Sequence, residues 1–187
     1  MLLIEPRPTP PGTESIKSPY LGSFNLLSLR AFLVGKTLVG LRVDDAIRAV
    51  DWLCARNDVD GAALTIYGVG ALGMVALHAA ALDGRIGRVA IENSLASYRQ
   101  IIDQPVHRNV SEVVIPGVLR RYDTGELLEA VYPRPVTIVN PRDALGDAVS
   151  EADFRKGLAY VFESDRRLGL PDRIRLVWGH GREHLFQ

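Results

Sequence analysis

Leu64-Thr65-Ile66-Tyr67-Gly68-Val69-Gly70-Ala71-Leu72-Gly73, running into Met74-Val75-Ala76-Leu77-His78-Ala79-Ala80-Ala81-Leu82, decides the fold. The first residues, from about Ala63 to Tyr67, are short, β-branched or aromatic and read as a strand. Gly68 to Gly73 is a tight turn. Met74 to Leu82 is an Ala-rich helix whose small side chains allow close packing on a sheet. A strand, a glycine turn and a helix in immediate succession form half of a parallel crossover unit.

The same alternation continues in both directions. Upstream, Val43 to Arg56 is amphipathic. Val43, Ile47, Val50 and Cys54 follow three-or-four spacing, and Ala46 and Leu53 widen the stripe. Asp44 and Asp45 are placed in the first turn of that helix, where negative charge suits the dipole. Phe24 to Val39 reads as a further helix, with Gly35 and Gly40 as breaks, and Leu2 to Ile4 as a short buried strand. Pro6, Pro8, Pro10, Pro11 and Gly12 interrupt regular structure between them. Downstream, Arg88–Ile91, Val136–Val139 and Ile174–Trp178 are strands. Ser150 to Leu168 is a helix with Ser150 as its N-cap and Asp153 three residues on. Residues 94–130 differ: polar and proline breaks leave only helical pieces near Tyr98–Ile102 and Gly125–Val131, a cap-like excursion over the strand ends. The whole chain, 1–187, reads as one α/β domain, a mostly parallel sheet with helices on both faces.

Composition narrows the function classes. Lys plus Arg and Asp plus Glu are 22 each, so no basic field argues for nucleic acid or an anionic membrane. Near-zero net charge favours self-association. No apolar run approaches a membrane span. The apolar start is too short for a signal peptide, which makes the cytoplasm the expected location. The single cysteine, Cys54, rules out an internal disulfide and reads as a small buried apolar residue. No histidine pair has helical ligand spacing with a carboxylate, so neither metal nor cofactor is expected.

Two chemistries fit the glycine turn. Gly68, Gly70 and Gly73 have the G-x-G-x-x-G spacing of a dinucleotide site, with Glu92 ending the next strand where an acid would hold a ribose. Alternatively the turn is a nucleophile elbow, G-x-S-x-G, with Gly70 at the serine position and the closing glycine displaced past Leu72 to Gly73. The neighbouring segments favour the second. RVDDAIRAVDWLCARNDVD (42–60), LTIYGVGALGMVALHAAALDGRIGRVAIENS (64–94), PRPVTIVNPRD (133–143) and WGHGREH (178–184) occur in the order and spacing of their counterparts in α/β-hydrolases. From about Arg42 the chain resembles the acetylxylan-esterase and dienelactone-hydrolase type, over about three quarters of its length.

The resemblance implies a carboxylic-ester hydrolase acting on a small-molecule substrate, and it assigns roles. Asp143 matches the triad acid that follows its strand. It also fits an ordinary turn aspartate after proline. The triad histidine belongs just past the last strand, where His184, in Gly181-Arg182-Glu183-His184-Leu185-Phe186, fits the histidine loop better than His180 does. The nucleophile is missing. Ser94, after the strand Arg88–Ile91, is the nearest substitute, although a loop serine there also serves as a helix cap. Direct activation of water by a His184–Asp143 pair is a second route. His78 reads as a buried structural histidine, and His107 as a loop residue near a pocket. A non-catalytic descendant that binds a ligand or serves assembly explains Gly70 more simply, and the dinucleotide site remains a third possibility. The resemblance also implies strands ahead of the first helix that this chain lacks. A truncated sheet would leave the elbow strand as an open edge, and pairing there predicts a homo-oligomer.

Overall fold

The computed structural model describes residues 1–7, 22, 24–61 and 64–179. Two helices come first, α1 (Asn25–Leu33) and α2 (Leu38–Cys54). There follow β1 (Leu64–Val69), α3 (Ala71–Leu82), β2 (Ile86–Glu92), α4 (Arg99–Asp103) and α5 (Thr124–Ala130). The order closes with β3 (Val136–Val139), α6 (Glu151–Gly157), α7 (Ala159–Arg167) and β4 (Ile174–Val177). The four strands form one sheet in the order β1-β2-β3-β4, parallel throughout. This is the parallel α/β class that the alternation implies, a sheet flanked by helices, although among the described residues the helices pack on one face and not on both.

The strand order positions the helices. Each crossover advances in the same direction, and right-handed crossovers that advance one way fall on one face. Accordingly Val43, Ala46 and Val50 of α2, Met74 to Leu77 with Ala79 and Ala80 of α3, Leu127 and Leu128 of α5 and Val161 of α7 join Val89, Ile91, Val136, Ile138 and Ile174 in one buried cluster. The alternate strand residues Ala90 and Val139, with Tyr67 and Val177, form a separate small cluster on the opposite face. α3 lies in the middle, against β1 and β2 and between α2 and α5. Met74, Leu77, Ala79 and Ala80 on it are fully buried, so Leu77→Ala would cost about 2–5 kcal/mol.

Several local expectations change. Leu2 to Ile4 is not a strand. Leu3 is 84% exposed, and among the described residues no strand pairs with it. α2 begins at Leu38, five residues earlier than the apolar spacing indicates. Thr37 caps it, its Oγ1 accepting the Gly40 N–H at 2.9 Å, so Gly40 lies inside the first turn. Gly35 does break the chain, with φ +70°. The earlier start moves Asp44 and Asp45 out of the first turn, and Asp45 instead accepts from the Arg7 backbone and guanidinium. Cys54 is exposed: the buried stripe ends at Val50, and α2 overruns the sheet by its last turn. Ser150 caps as expected, accepting from the Asp153 N–H, but Leu158 divides the helix into α6 and α7.

β1 pairs only with β2 among the described residues, which leaves its other side as a sheet edge. Residues 94–130 hold α4, two 3-10 turns at Val110–Glu112 and Val118–Arg120, and α5. The Asp123 side chain caps α5 and also accepts the Tyr98 N–H, with Glu126 completing a capping box.

Candidate active site

The turn between β1 and α3 is sharper than its sequence spacing indicates. β1 runs through Val69, α3 starts at Ala71, and Gly70 alone makes the reversal, at φ 59° and ψ −126°. That conformation is costly for residues with a Cβ. The flanking glycines answer a different need. A Cβ on Gly68 would stand 2.2 Å from the Leu72 carbonyl oxygen, and one on Gly73 would stand 1.8 Å from Ser94 Oγ. At Gly70 itself a Cβ would meet nothing within 4 Å among the described residues. Strand and helix are therefore pressed together beneath the turn, while the apex is open.

Hydrogen bonds tie the apex to its neighbours at the carboxyl ends of the strands. The Gly70 N–H donates to the Glu92 carbonyl (2.8 Å), the Asn93 N–H to the Val139 carbonyl (2.9 Å) and the Asn140 N–H to the Val177 carbonyl (3.0 Å). Asn93 and Asn140 adopt left-handed backbone, φ 50° and 47°, which asparagine tolerates better than most residues. Each residue that leaves a strand thus bonds the next strand over. The result is a row of turning points along one rim of the sheet, the rim at which parallel α/β folds carry their ligands.

Asp143 lies on that rim, partly buried. Its Oδ1 accepts the N–H groups of Leu145 (2.8 Å) and Asp147 (2.9 Å), while among the described residues Oδ2 receives only a long bond from Gln104 Nε2 (3.3 Å). Asn140 makes a reciprocal pair with Gly179. Its Nδ2 donates to the Gly179 carbonyl and its Oδ1 accepts the Gly179 N–H, both at 3.0 Å. The chain leaving β4 is thereby held against the loop that carries Asp143. His180 and His184 lie outside the described residues.

Ser94 is 2% exposed, packs against Gly73 and donates to the Glu92 carbonyl at 3.1 Å. Glu92 itself accepts from the Tyr67 hydroxyl and from Asn93 Nδ2. His78 is 7% exposed. Its Nδ1 donates to the Met74 carbonyl (2.7 Å), which leaves Nε2 to accept the Tyr122 hydroxyl at 3.1 Å. Burial lowers its pKa, so the ring is neutral and structural. His107 is exposed in the loop after α4. Beside it in the chain, a groove of about 310 Å³ is lined by Tyr98, Ile101, Val114, Ile115 and Leu119.

The glycine turn is readable as a motif, and Asp143 as a residue of the loop after β3. The left-handed asparagines, the Asn140–Gly179 pair and Arg142, whose guanidinium bonds Asn93 Oδ1, are not. An Asn-Pro-Arg-Asp run after a strand looks like any polar loop. Among the described residues no group of three or more His, Cys, Asp and Glu side chains is placed to hold a metal, and no helix is long and apolar enough to cross a membrane.

A parallel sheet flanked by helices, entered by a one-residue turn at Gly70, is an α/β-hydrolase-like fold. No family model matches the chain. It is similar to YtaP of Bacillus subtilis, a protein named as a hydrolase, with 25% identity over 151 residues that make up 79% of this chain and 50% of that protein. The chain therefore spans about half the length of the curated relative it matches. Among solved structures it resembles a Bacteroides fragilis protein described as an acetyl xylan esterase, with a TM-score of 0.66 and 15% identity over 85% of this chain and 40% of that one. It also resembles a glucuronoyl esterase of carbohydrate esterase family 15 from Caldicellulosiruptor kristjansonii, with a TM-score of 0.52 and 20% identity over 76% of this chain and 45% of that one.

Proposed function

We propose that the chain carries a hydrolase-type site for carboxylic esters in which the place of the nucleophilic side chain is left open. The Gly70 backbone carries this reading. It holds the strained strand-to-helix turn that presents a nucleophile in this fold, with free space where the side chain would stand. The N–H of Ala71, the first residue of α3, follows the apex and is the natural donor to a carbonyl oxygen that becomes negative during attack.

The chemistry is then hydrolysis by water seated at the open apex. Water oxygen attacks the ester carbonyl carbon, and a histidine beyond β4 takes the water proton. The tetrahedral intermediate expels the alcohol, which receives that proton, and the acid is released. His184 is the preferred base and His180 the alternative. Asp143, whose Oδ2 carries just the long Gln104 bond among the described residues, orients it. The Asn140–Gly179 pair supports this pairing, because it holds the route from β4 beside the Asp143 loop. Ser94 fits support of the turn better than attack, since its hydroxyl is buried and committed to the Glu92 carbonyl. Residues 94–130 would form the cap-like wall of the crevice, and the β1 edge would pair with a second copy of the chain.

A second reading, a non-catalytic ligand-binding or assembly protein, is favoured by the same missing side chain. A dinucleotide site finds less support. Such a site lies where the strand order reverses beside the fingerprint strand, whereas here the order runs β1-β2-β3-β4 with β1 at the edge. The hydrolase reading is tested with short-chain esters in single-turnover mode. It expects turnover without an acyl-enzyme burst, lost in Asp143→Asn and retained in Ser94→Ala. A trapped acyl adduct on Ser94 would overturn the water route.

A further inference from the structure

One cation on the strand-end rim has no part in the hydrolytic scheme. Arg142 is half-buried between Pro141 and Asp143. Its Nε and Nη2 both donate to a single neutral acceptor, Asn93 Oδ1, at 3.1 and 2.8 Å. No ion pair to Arg142 is present among the described residues. The nearby carboxylates are engaged elsewhere. Asp143 Oδ1 holds the amides of Leu145 and Asp147, and Glu92 accepts from Tyr67 and from Asn93 Nδ2.

The guanidinium is held in place from several directions. Asn93 is fixed by its left-handed backbone and its N–H bond to the Val139 carbonyl. A hydrogen-bonded line Tyr67–Glu92–Asn93–Arg142 therefore crosses the rim, and the Glu92 carbonyl on it accepts the Gly70 N–H. A clamp between the two loops would need no arginine. The Arg142 backbone already makes one, donating to the Ser94 carbonyl and accepting the Ala96 N–H, both at 2.8 Å. A permanently charged group drawn partly out of water is costly unless an anion meets it. One edge of the planar fork is spent on an amide oxygen, and its remaining N–H groups suit a carboxylate.

We infer that Arg142 is an anion subsite beside the Gly70 turn, binding the carboxylate of a small organic acid or of an ester that bears a second, free acid group, with Asn93 as its positioning residue. Glu92 and Asp143 weaken the local positive potential, so affinity is modest and falls as salt rises.

The test is saturation-transfer NMR on the purified chain with succinate, monomethyl succinate and dimethyl succinate. The wild type binds both anions and not the diester. Arg142→Gln loses at least about tenfold in affinity, the loss expected for a charge-assisted contact. Arg142→Lys restores part of it. Asn93→Gly keeps the left-handed backbone but frees the fork, and weakens both anions while the circular dichroism stays native. Stronger binding of succinate would mark a free acid as the ligand, and stronger binding of the monoester an acid-bearing ester. Equal binding of the diester, undiminished binding in Arg142→Gln, or no binding of either anion at millimolar concentration would overturn the inference. If Arg142→Gln fails to fold, the lysine and Asn93→Gly variants decide. Binding is read without turnover, so a protein that hydrolyses no ester can still pass.

Discussion

Gly70→Ser places a hydroxyl side chain at the apex of the turn, where the proposed site leaves the nucleophile position open, and its consequences follow from the local geometry. The new Cβ meets no atom of the described residues within 4 Å, so its cost is assigned to the backbone at φ 59° and ψ −126°. Holding a residue with a Cβ in such a region costs about 1–3 kcal/mol. In a chain of this size each kcal/mol lowers Tm by about 2–4 °C, so the variant should melt roughly 2–12 °C below the wild type yet fold. Gly68→Ala should behave oppositely. Its φ is not in the left-handed region, but the added carbon lies 2.2 Å from the Leu72 carbonyl oxygen, a backbone atom that cannot yield unless α3 moves off β1. That variant should be the less stable of the two despite its milder substitution. Thermal unfolding ranks them. Intact-mass analysis after fluorophosphonate treatment then asks whether position 70 has become a nucleophile, with the untouched wild type as control. An adduct mapping to position 70 is expected. A folded Gly70→Ser that takes no label, or a Gly68→Ala as stable as the wild type, would refute the placement of the apex.

Other perturbations probe the framework. Gly73→Ala should destabilise by driving its Cβ against Ser94 Oγ, and Ser94→Ala should relieve part of the clash, giving a coupling of about 0.5–3 kcal/mol in a double-mutant cycle by denaturant unfolding. Arg173 and Asp165 form a pair whose side chains are 1% and 3% exposed, with Nε to Oδ1 at 2.7 Å. Asp165→Asn leaves the buried cation uncompensated and should cost about 3–5 kcal/mol in the same assay. His78 is held neutral by burial, with a folded pKa below its ordinary value near 6.5. The unfolded chain therefore takes up the proton first as pH falls, and His78 contributes stability at neutral pH that is lost progressively below about 6.5. A His78→Gln variant should show a flatter stability profile between neutral and mildly acidic pH. Light scattering should find a dimer or larger assembly, and Thr65→Pro on the exposed β1 edge should shift it toward monomer if that edge is the interface.

How far the sequence carried the fold depends on the residue. β3 at Val136–Val139 is where its three apolar residues and the β-branched Thr137 place it, because strands buried on both faces read as near-continuous apolar runs. The start of α2 was invisible to apolar spacing, since Thr37 begins the helix by a side-chain cap and Gly40 looks like a stop. Cys54 continues the periodic stripe yet is exposed, because periodicity shows which side of a helix faces inward but not where the sheet beneath it ends. Leu158, apolar and in register, gives no sign that α6 and α7 part there. At the rim, the glycine spacing was legible as a motif, and Asp143 as a residue of the loop after β3. What escaped was pairing across strands: Asn93 with Arg142 and Asn140 with Gly179 are 49 and 39 residues apart, and only the register of the sheet brings them together.

The most direct test of an ester-hydrolysing site without a serine at its apex is the rate of p-nitrophenyl acetate hydrolysis by the folded wild type, measured beside His184→Ala and His180→Ala. Turnover above buffer that disappears in His184→Ala is the predicted result. Wild-type turnover no faster than buffer, or turnover unchanged by His184→Ala and by His180→Ala alike, would contradict the account.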